Sequence, residues 1–391
     1  MSKQLGVLFL TIFIDLLGFG IIIPILPIIS TELQATPLQI GLIAGIYSLM
    51  NFLFSPFWGT LSDRIGRRPV MLISIAITML ASFFFAFTTN LLFLVFARVF
   101  SGIGSANIGA AQAYIADVTP IEKRAGSMGL LGAAFGLGFI FGPPLGGYLK
   151  ALSGPGSVWY VGAVSAALSF LNLILAWFFL KESIQQKQNH KAFRFAPVND
   201  ILREIKTPVI REVMWLNFVF IMAFSMMQIS STLFWKDVFG LDEKQIGWVF
   251  MYIGVVGAFI QGFLVGKLNR MLSGRQLLLY GVLLMAVGLF LMTVYPNGVF
   301  WPQLLALTVL SLGNGFLSPA ISSTISRYAG PNRQGQVLGS NLSFSSLARV
   351  AGPALGGWLY GFAAFVPFLT GGLFMLVSLV LLKSIPDEKS A

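Results

Sequence analysis

Residues 142–149 read GPPLGGYL, and 210 positions later residues 352–359 read GPALGGWL. Both copies lie inside long apolar segments, and shorter pieces repeat at nearly the same spacing: 124–126 (RAG) with 333–335 (RQG), and 59–61 (GTL) with 266–268 (GKL). Self-similarity at a fixed period indicates that one structural unit is used twice. The repeat therefore predicts two related hydrophobic halves, an arrangement typical of transporters that work around a central site.

The composition is that of a membrane protein. Of 391 residues, 56% are hydrophobic and only 10% are charged, whereas soluble domains contain about 25% charged residues. Segments of about 20 apolar residues cross the bilayer, and we count twelve: 5–29, 38–59, 70–88, 91–115, 126–149, 158–180, 213–235, 245–266, 276–294, 300–325, 336–359 and 364–382. We predict an all-α integral membrane protein with twelve transmembrane helices in two six-helix bundles, related by a pseudo-two-fold axis. The bundles occupy residues 1–180 and 213–391, and residues 181–212 form a cytoplasmic linker.

The positive charge reports on topology. With the N-terminus in the cytoplasm, twenty of the 25 Lys and Arg residues lie on the inner side and three on the outer side, while Arg98 and Arg349 fall within helices. Cytoplasmic loops carry such an excess, so both termini are expected in the cytoplasm. The net charge of +11 thus gives no reason to expect nucleic acid. The absence of cysteine excludes disulfides and thiolate metal sites, and no metal site is expected.

The linker contains one helical pattern. Val198, Ile201, Leu202 and Ile205 share one face, with Asp200, Arg203, Glu204 and Lys206 opposite. This spacing predicts a short amphipathic helix on the inner leaflet. A solvated linker with a chance pattern is the alternative.

Asp15 is the one acid expected deep inside a membrane helix. It lies about ten residues past Leu5, hence ~15 Å along the helix. An ion there costs roughly 2.5–3.5 kcal/mol on insertion scales, and desolvation favours the neutral form of a carboxyl group. A carboxyl that changes protonation while facing a cavity can carry protons. The alternative is an aspartate held permanently by a partner or by its glycine-rich neighbours.

Two arginines and several polar residues are the other intramembrane candidates. Arg98 and Arg349 keep their protons and must find acids, carbonyl groups or water; alternatively, Arg349 only hydrogen-bonds carbonyl groups near the Gly352-Pro353 bend. For a substrate cavity we select Phe19, Gln112, Gln228, Tyr252, Asn314 and Arg349. Flexible Met and flat Phe side chains around 218–227 suit an apolar, adaptable pocket.

Five stretches of the sequence carry a family resemblance. Residues 59–70 (GTLSDRIGRRPV) resemble the signature loop between helices 2 and 3 of the major facilitator superfamily, and residues 94–104 resemble its helix 4 motif. Residues 138–147 resemble the helix 5 motif of proton-coupled antiporters. Residues 15–27 and 113–124 are similar to those of twelve-helix drug:proton antiporters, especially the tetracycline-efflux group.

The resemblance implies roles for the matched residues. Asp15 and Arg98 would handle the proton. Gly59, Asp63, Arg64, Arg67 and Asp117 would form a cytoplasmic latch, and Gly142, Pro143, Gly146, Gly352 and Pro353 would bend the helices that seal the halves. It also implies a monomer in the bacterial cytoplasmic membrane, powered by the proton gradient without a cofactor. Two departures stand out: the second loop copy has lost its acid, and the segments 213–382 contain no acid deep in a helix.

We therefore predict a proton-coupled exporter of lipophilic or amphiphilic drugs, with protons, small substrates and the lipid bilayer as its partners. An importer of a metabolite or a lipid-moving relative on the same fold is the alternative, because fold does not set substrate or direction. An enzyme is not expected, since no HExxH, phosphate-loop or Ser-His-Asp pattern occurs and the one histidine, His190, is in the linker. A channel would need rings of repeated charge.

Overall fold

The computed structural model describes residues 3–120, 123–184, 197–295, 298–330 and 333–386. Every regular element within these ranges is helical. The helices of the first half are α1 (Lys3–Ile22), α2 (Ile25–Glu32), α3 (Pro37–Ile65), α4 (Arg67–Ala86), α5 (Leu91–Ser105), α6 (Ile108–Val118), α7 (Arg124–Ser153) and α8 (Trp159–Phe179). After α9 (Val198–Glu204) follow α10 (Ile210–Phe239), α11 (Glu243–Phe259), α12 (Val265–Met271), α13 (Gly274–Met292), α14 (Trp301–Tyr328), α15 (Gln334–Tyr360) and α16 (Val366–Leu382).

The predicted membrane architecture is confirmed. Among the described residues, ten helical segments are long and apolar enough to cross a bilayer, and they coincide with the first ten predicted spans. The shorter apolar helix α16 matches the twelfth. The eleventh span is α15, whose 27 residues include many Ser and Gly, so its mean hydropathy is lower although its length is ample. The chain is an all-α membrane protein with twelve spans.

Three spans are interrupted, which hydropathy did not predict. The first breaks at residues 23–24, between α1 and α2, where Pro24 has no N–H to donate. The fourth breaks at residues 106–107, between α5 and α6. The eighth contains a π-helical turn, Ile260–Leu264, between α11 and α12. π-helical turns are frequent at functional sites.

The same helix pairs pack in each half of the chain. In the first half, α1 lies along α7 and α8, and α4 lies along α8. In the second half, α10 lies along α15 and α16, and α13 lies along α16. In order of spans these are the same three pairs, so the repeat in the sequence is also a repeat in packing.

Glycine allows the closest of these approaches. A Cβ on Gly142 of α7 would lie 2.7 Å from Cα of Gly20 on α1, and a Cβ on Gly138 would lie 2.9 Å from the Leu16 carbonyl carbon. Gly138 and Gly142 meet Gly20 of α1, and Gly146 meets the neighbouring Ile21; we call these contacts the α1–α7 glycine interface. The equivalent contact in the second half lies between α10 and α15, where a Cβ on Gly356 would lie 2.8 Å from Cγ of Met226. Backbones this close exclude any side chain.

The predicted bending residues lie inside continuous helices. Pro143 lies within α7, and Pro353 lies within α15. Gly352 packs against Ser225 and Met222 of α10, and Gly146 packs against Ile21 of α1. These positions therefore form helix contacts; their proposed part in sealing the halves stays a prediction.

The chain forms two compact units. The first comprises Met1–Ala35, Ile46–Ala196 and Asp242–Met251, and the second comprises Thr36–Gly45, Pro197–Leu241 and Tyr252–Ala391. They differ from the predicted bundles 1–180 and 213–391 mainly in two segments, Thr36–Gly45 at the start of α3 and Asp242–Met251 at the start of α11. The division at the linker 181–212 stays a prediction.

A helix forms within the predicted segment of the linker, and one residue of its predicted polar face, Glu204, is buried; the placement of this helix on the inner leaflet stays a prediction. In α9 the side chains of Ile201 and Glu204 are buried, whereas Val198 and Leu202 are exposed. Glu204, expected on the polar outer face, accepts hydrogen bonds from Arg333 at 2.8 Å on both carboxylate oxygens. The ion pair attaches α9 to the start of α15, because a buried carboxylate is stable only beside a compensating charge. Residues 185–196 of the linker, with His190, lie outside the described residues.

Candidate functional site

Asp15 is held by an amide from a second helix. The Asn172 side chain on α8 donates from Nδ2 to Oδ1 of Asp15 at 2.9 Å and to the carbonyl oxygen of Thr11 at 3.0 Å. Asn172 is fully buried and Thr11 is 1% exposed, while Asp15 is partly buried. The carboxyl group therefore lies at the α1–α8 contact, inside the first span.

Asn172 was missed in the sequence, although a signal was present. Ser165, Ser169 and Asn172 are all buried and follow a spacing of four and three residues in an otherwise apolar helix. This spacing places them on one helical face. Polar side chains on a single face of a membrane helix indicate the side that packs on protein.

Arg98 is buried against an aromatic ring. Only 6% of the Arg98 surface is exposed, and its guanidinium carbon lies 4.6 Å from the centre of the Tyr47 ring on α3. That ring stacks on Phe19, one turn beyond Asp15 on α1, with centroids 5.0 Å apart. A guanidinium over a ring face is stabilised by the negative charge of the face. In the described part of the chain no ion pair joins Arg98 to Asp15.

The structure places the other predicted cavity residues in different surroundings. Gln112 on α6 and Gln228 on α10 are half-buried, and so is Asn314 on α14. The Tyr252 hydroxyl lies 2.6 Å from Oγ1 of Thr308, and Arg349 is exposed. Phe19 and Arg98 thus come together around Tyr47, whereas shared membership of one cavity stays a prediction for the rest.

Three latch residues meet where α3 and α6 end and α4 begins. The Arg67 guanidinium lies 2.6 Å from Oδ1 of Asp63 and 3.4 Å from Oδ2 of Asp117. It also donates to Oγ of Ser62 at 2.5 Å. Arg67 is 9% exposed, so this guanidinium holds two carboxylates from α3 and α6 at the start of α4. The predicted functional role of the cluster stays a prediction, as it does for its neighbours Gly59 and Arg64.

Glu182 completes this cluster and was also missed. Its carboxylate accepts the backbone N–H groups of Arg67 at 2.9 Å and of Arg68 at 3.3 Å. Beside it, Ser183 donates from Oγ to Asp117 at 2.9 Å. A carboxylate at the first turn of a helix satisfies free N–H groups. Glu182 was counted with the linker, and nothing in its local sequence shows that it reaches α4.

Among the described residues, no group of three or more His, Asp or Glu side chains is arranged to hold a metal ion. Around Asp15 the arrangement offers a protonatable carboxyl group beside an amide, and the Arg98 guanidinium lies against the Tyr47 ring, which stacks on Phe19 of the same helix as Asp15.

Comparison with known proteins decides the family. The sequence model of the Major Facilitator Superfamily matches residues 8–353 and 263–391. The chain belongs to this superfamily. It is 29% identical to multidrug resistance protein 2 of Bacillus subtilis (strain 168) over 98% of this chain and 95% of that protein. It is 31% identical to tetracycline resistance protein, class E, of Escherichia coli over 92% of this chain and 88% of that protein.

Solved structures of the superfamily share the fold. The human organic anion transporter MFSD10 superimposes with a TM-score of 0.75 at 23% identity, over 97% of this chain and 99% of that one. At this identity the likeness supports the fold alone. The resemblance to the superfamily, and within it to the tetracycline-efflux group, is thereby confirmed. The family and the fold are those of transporters and not of enzymes, and the chain is a multi-pass membrane protein.

Proposed function

We propose that this major facilitator exports lipophilic or amphiphilic drugs in exchange for protons. The observation that carries the proposal is Asp15, a carboxyl group inside a membrane span whose hydrogen-bond partner is a neutral amide. A carboxylate with a cationic partner would stay charged, whereas one beside an amide can exist in both protonation states. The protein would work as a monomer in the bacterial cytoplasmic membrane, with both termini inside, and would need no cofactor.

The proton and the drug would use the site in turn. Asp15 would take up a proton from the outer side and release it to the cytoplasm, where the site would next accept a drug. Binding of either species can shift the conformational balance only by its different affinity for the two states. Alternation is thus expected if the neutral and charged forms of Asp15 favour different conformations.

The side chains along α10 favour apolar cargo. Phe218, Met222 and Phe224 of α10 are half-buried, and such side chains adapt to varied apolar shapes. Arg98 stays charged throughout, so the site carries net positive charge when Asp15 is neutral. Neutral or weakly basic compounds should therefore be preferred over dications, while a single cation remains acceptable when Asp15 is ionised.

The named relatives support this class of substrate. They are a multidrug resistance protein and a tetracycline resistance protein, and both align with nearly the whole chain. Tetracycline itself is not part of the proposal, because the second half of the chain lacks a deep acid.

The test is gradient-driven efflux in proteoliposomes containing Asp15→Asn. This change keeps the size of the side chain and removes its proton site, so we expect the protein to insert and bind dye but to lose efflux driven by a pH gradient. Asp200→Asn makes the same chemical change on α9, outside the spans, and should pump like the parent. Equal pumping by Asp15→Asn and the parent at one gradient would refute the proton role of Asp15.

A panel of neutral, monocationic and dicationic compounds of matched lipophilicity tests the substrate class, and a preference for dications that survives Asp15→Asn would contradict it.

A further inference from the structure

The side-chain amide of Asn172 donates two hydrogen bonds, and both go to groups on α1. One reaches the Asp15 carboxyl at 2.9 Å, and the other reaches the Thr11 carbonyl oxygen at 3.0 Å, one turn earlier on the same helix. The second bond fixes the amide plane against α1, so the first is not a chance contact of a mobile side chain. A donated hydrogen bond stabilises the charged form of a carboxyl group.

Two polar atoms beside this carboxyl have no partner among the described residues. They are Oδ1 of Asn172 and Oγ1 of Thr11, and both are buried. Buried polar atoms of native proteins are nearly always hydrogen-bonded. Charged Asp15 can only accept, whereas protonated Asp15 carries an O–H that needs an acceptor. Oδ1 of Asn172 can only accept, and Oγ1 of Thr11 can accept as well as donate, so either can receive the O–H that only the protonated state carries.

The remaining charged groups on the helices around α1 lie far from Asp15 or are already engaged. Lys150 of α7 pairs with Glu32 of α2 at 2.9 Å, and Asp117 of α6 is held by Arg67. The Tyr114 hydroxyl donates to the Lys181 carbonyl oxygen at 2.8 Å.

The other charged or titratable groups on the neighbouring helices lie far from Asp15 along the helix axes. Arg124 and Tyr148 lie toward the two ends of α7, while the α1–α7 contact nearest Asp15 is that of Leu16 with Gly138. Arg124 is thus ~20 Å and Tyr148 ~15 Å along the helix from that level, at 1.5 Å per residue. Tyr160 is likewise ~18 Å from Asn172 along α8. Arg98 lies against the Tyr47 ring, which stacks on Phe19, and no ion pair in the described part of the chain joins it to Asp15. The polar side chain that contacts Asp15 directly is Asn172.

We propose that Asn172 is a positioning residue that sets the proton affinity of Asp15, its amide donating to the carboxylate and its own oxygen accepting from the carboxylic acid. The proposal rests on the proposed function, in which Asp15 carries the proton. An amide suits both states because it is donor and acceptor at once. A cationic residue at this position would keep Asp15 charged, and an apolar residue would keep it neutral.

The test is an infrared titration of Asp15 in the reconstituted protein, with its carboxyl stretching band identified by the loss of that band in Asp15→Asn. In Asn172→Leu the carboxylate loses its donor, so protonation should persist to higher pH. The loss of a hydrogen bond to a charged group corresponds to a shift of about one to two pH units. Asn172→Ser retains one hydroxyl and should shift less, and Asn172→Gln, which restores an amide, should return toward the parent. The pH dependence of efflux should move in the same order.

Asn217→Leu is the matched control. Asn217 is also a buried span amide, donating to Asn341 at 2.9 Å and to Ser345 at 2.7 Å in the second unit, so its replacement has a similar structural cost without touching Asp15. The expected result is an unchanged titration of Asp15. The inference is overturned if the Asn172 variants shift the titration no more than Asn217→Leu does. If Asn172→Leu fails to insert, the comparison of Asn172→Ser and Asn172→Gln with the control decides in the same way.

The two proposals fail in different experiments. Efflux that survives Asp15→Asn contradicts the proton-coupled function, whatever the titration shows. Loss of efflux in Asp15→Asn together with parent-like titration in every Asn172 variant contradicts the role of Asn172 alone.

Discussion

Replacement of Arg333 by glutamine should release the linker helix from the second unit. The Glu204 carboxylate is fully buried. Each of its two oxygens accepts a hydrogen bond from the Arg333 guanidinium at 2.8 Å. In Arg333→Gln the negative charge remains while its counter-charge is gone. The docked state of α9 then contains an uncompensated buried charge, which the undocked state exposes to water.

The magnitude follows from the burial of the two partners. Breaking a fully buried ion pair costs about 3–5 kcal/mol, but the Arg333 side chain is 40% exposed, so water reaches the site and reduces the cost. We expect about 1–3 kcal/mol, which increases the open population of α9 about 5- to 150-fold. Glu204→Gln removes the buried charge as well as the pair and should cost less than Arg333→Gln.

Amide hydrogen exchange of residues 198–204 in the reconstituted protein measures this population directly. Arg203→Gln is the control, because it removes the same charge from the exposed side of α9 and leaves the ion pair intact. Exchange should rise in the order Arg203→Gln, Glu204→Gln, Arg333→Gln. Equal exchange in Arg333→Gln and Arg203→Gln would refute the attachment of α9 by this pair.

Two further predictions concern the first unit. Gly142→Ala should lower the melting temperature strongly, because its Cβ would lie 2.7 Å from Gly20. Gly132→Ala is the control: a Cβ there has no heavy atom within 4 Å, so this variant should melt like the parent. Equal melting temperatures of the two variants would contradict the α1–α7 glycine interface. Arg67→Gln should lower the melting temperature because it leaves the carboxylates of Asp63 and Asp117 without their shared cation. Lys123→Gln, at an exposed site, is the control and should lower it less. Equal melting temperatures of the two variants would show that the cluster contributes nothing to thermal stability.

The spans were predictable because each one is a run of about twenty mostly apolar residues, which composition alone reveals. The repeat of 142–149 at 352–359 likewise predicted two related halves, and α7 packs on α1 as α15 packs on α10. The breaks at residues 23–24 and 106–107 and the π-helical turn at 260–264 were not predicted, since each changes only a few backbone hydrogen bonds and leaves the apolar composition unchanged.

The candidate site was only half predictable. Asp15 stands out in the sequence because an acid in an apolar run is costly. Its partner Asn172 lies 157 positions away, and only the rotation and depth of α8 against α1 decide that the two meet. Glu182 and Glu204 show the same limit: both look like solvated linker residues, yet one caps α4 and the other is buried beside Arg333.

The α1–α7 glycine interface also bears on how such a protein can evolve. Every single-base change of a glycine codon that alters the residue adds at least a Cβ, and at Gly142 or Gly146 that atom would meet the backbone of α1. Substitutions that widen the range of exported drugs are therefore not expected at the glycines of this contact. Natural variation under drug selection should accumulate where α10 presents adaptable side chains such as Met222 and Phe224, while resistant isolates retain the glycines unchanged.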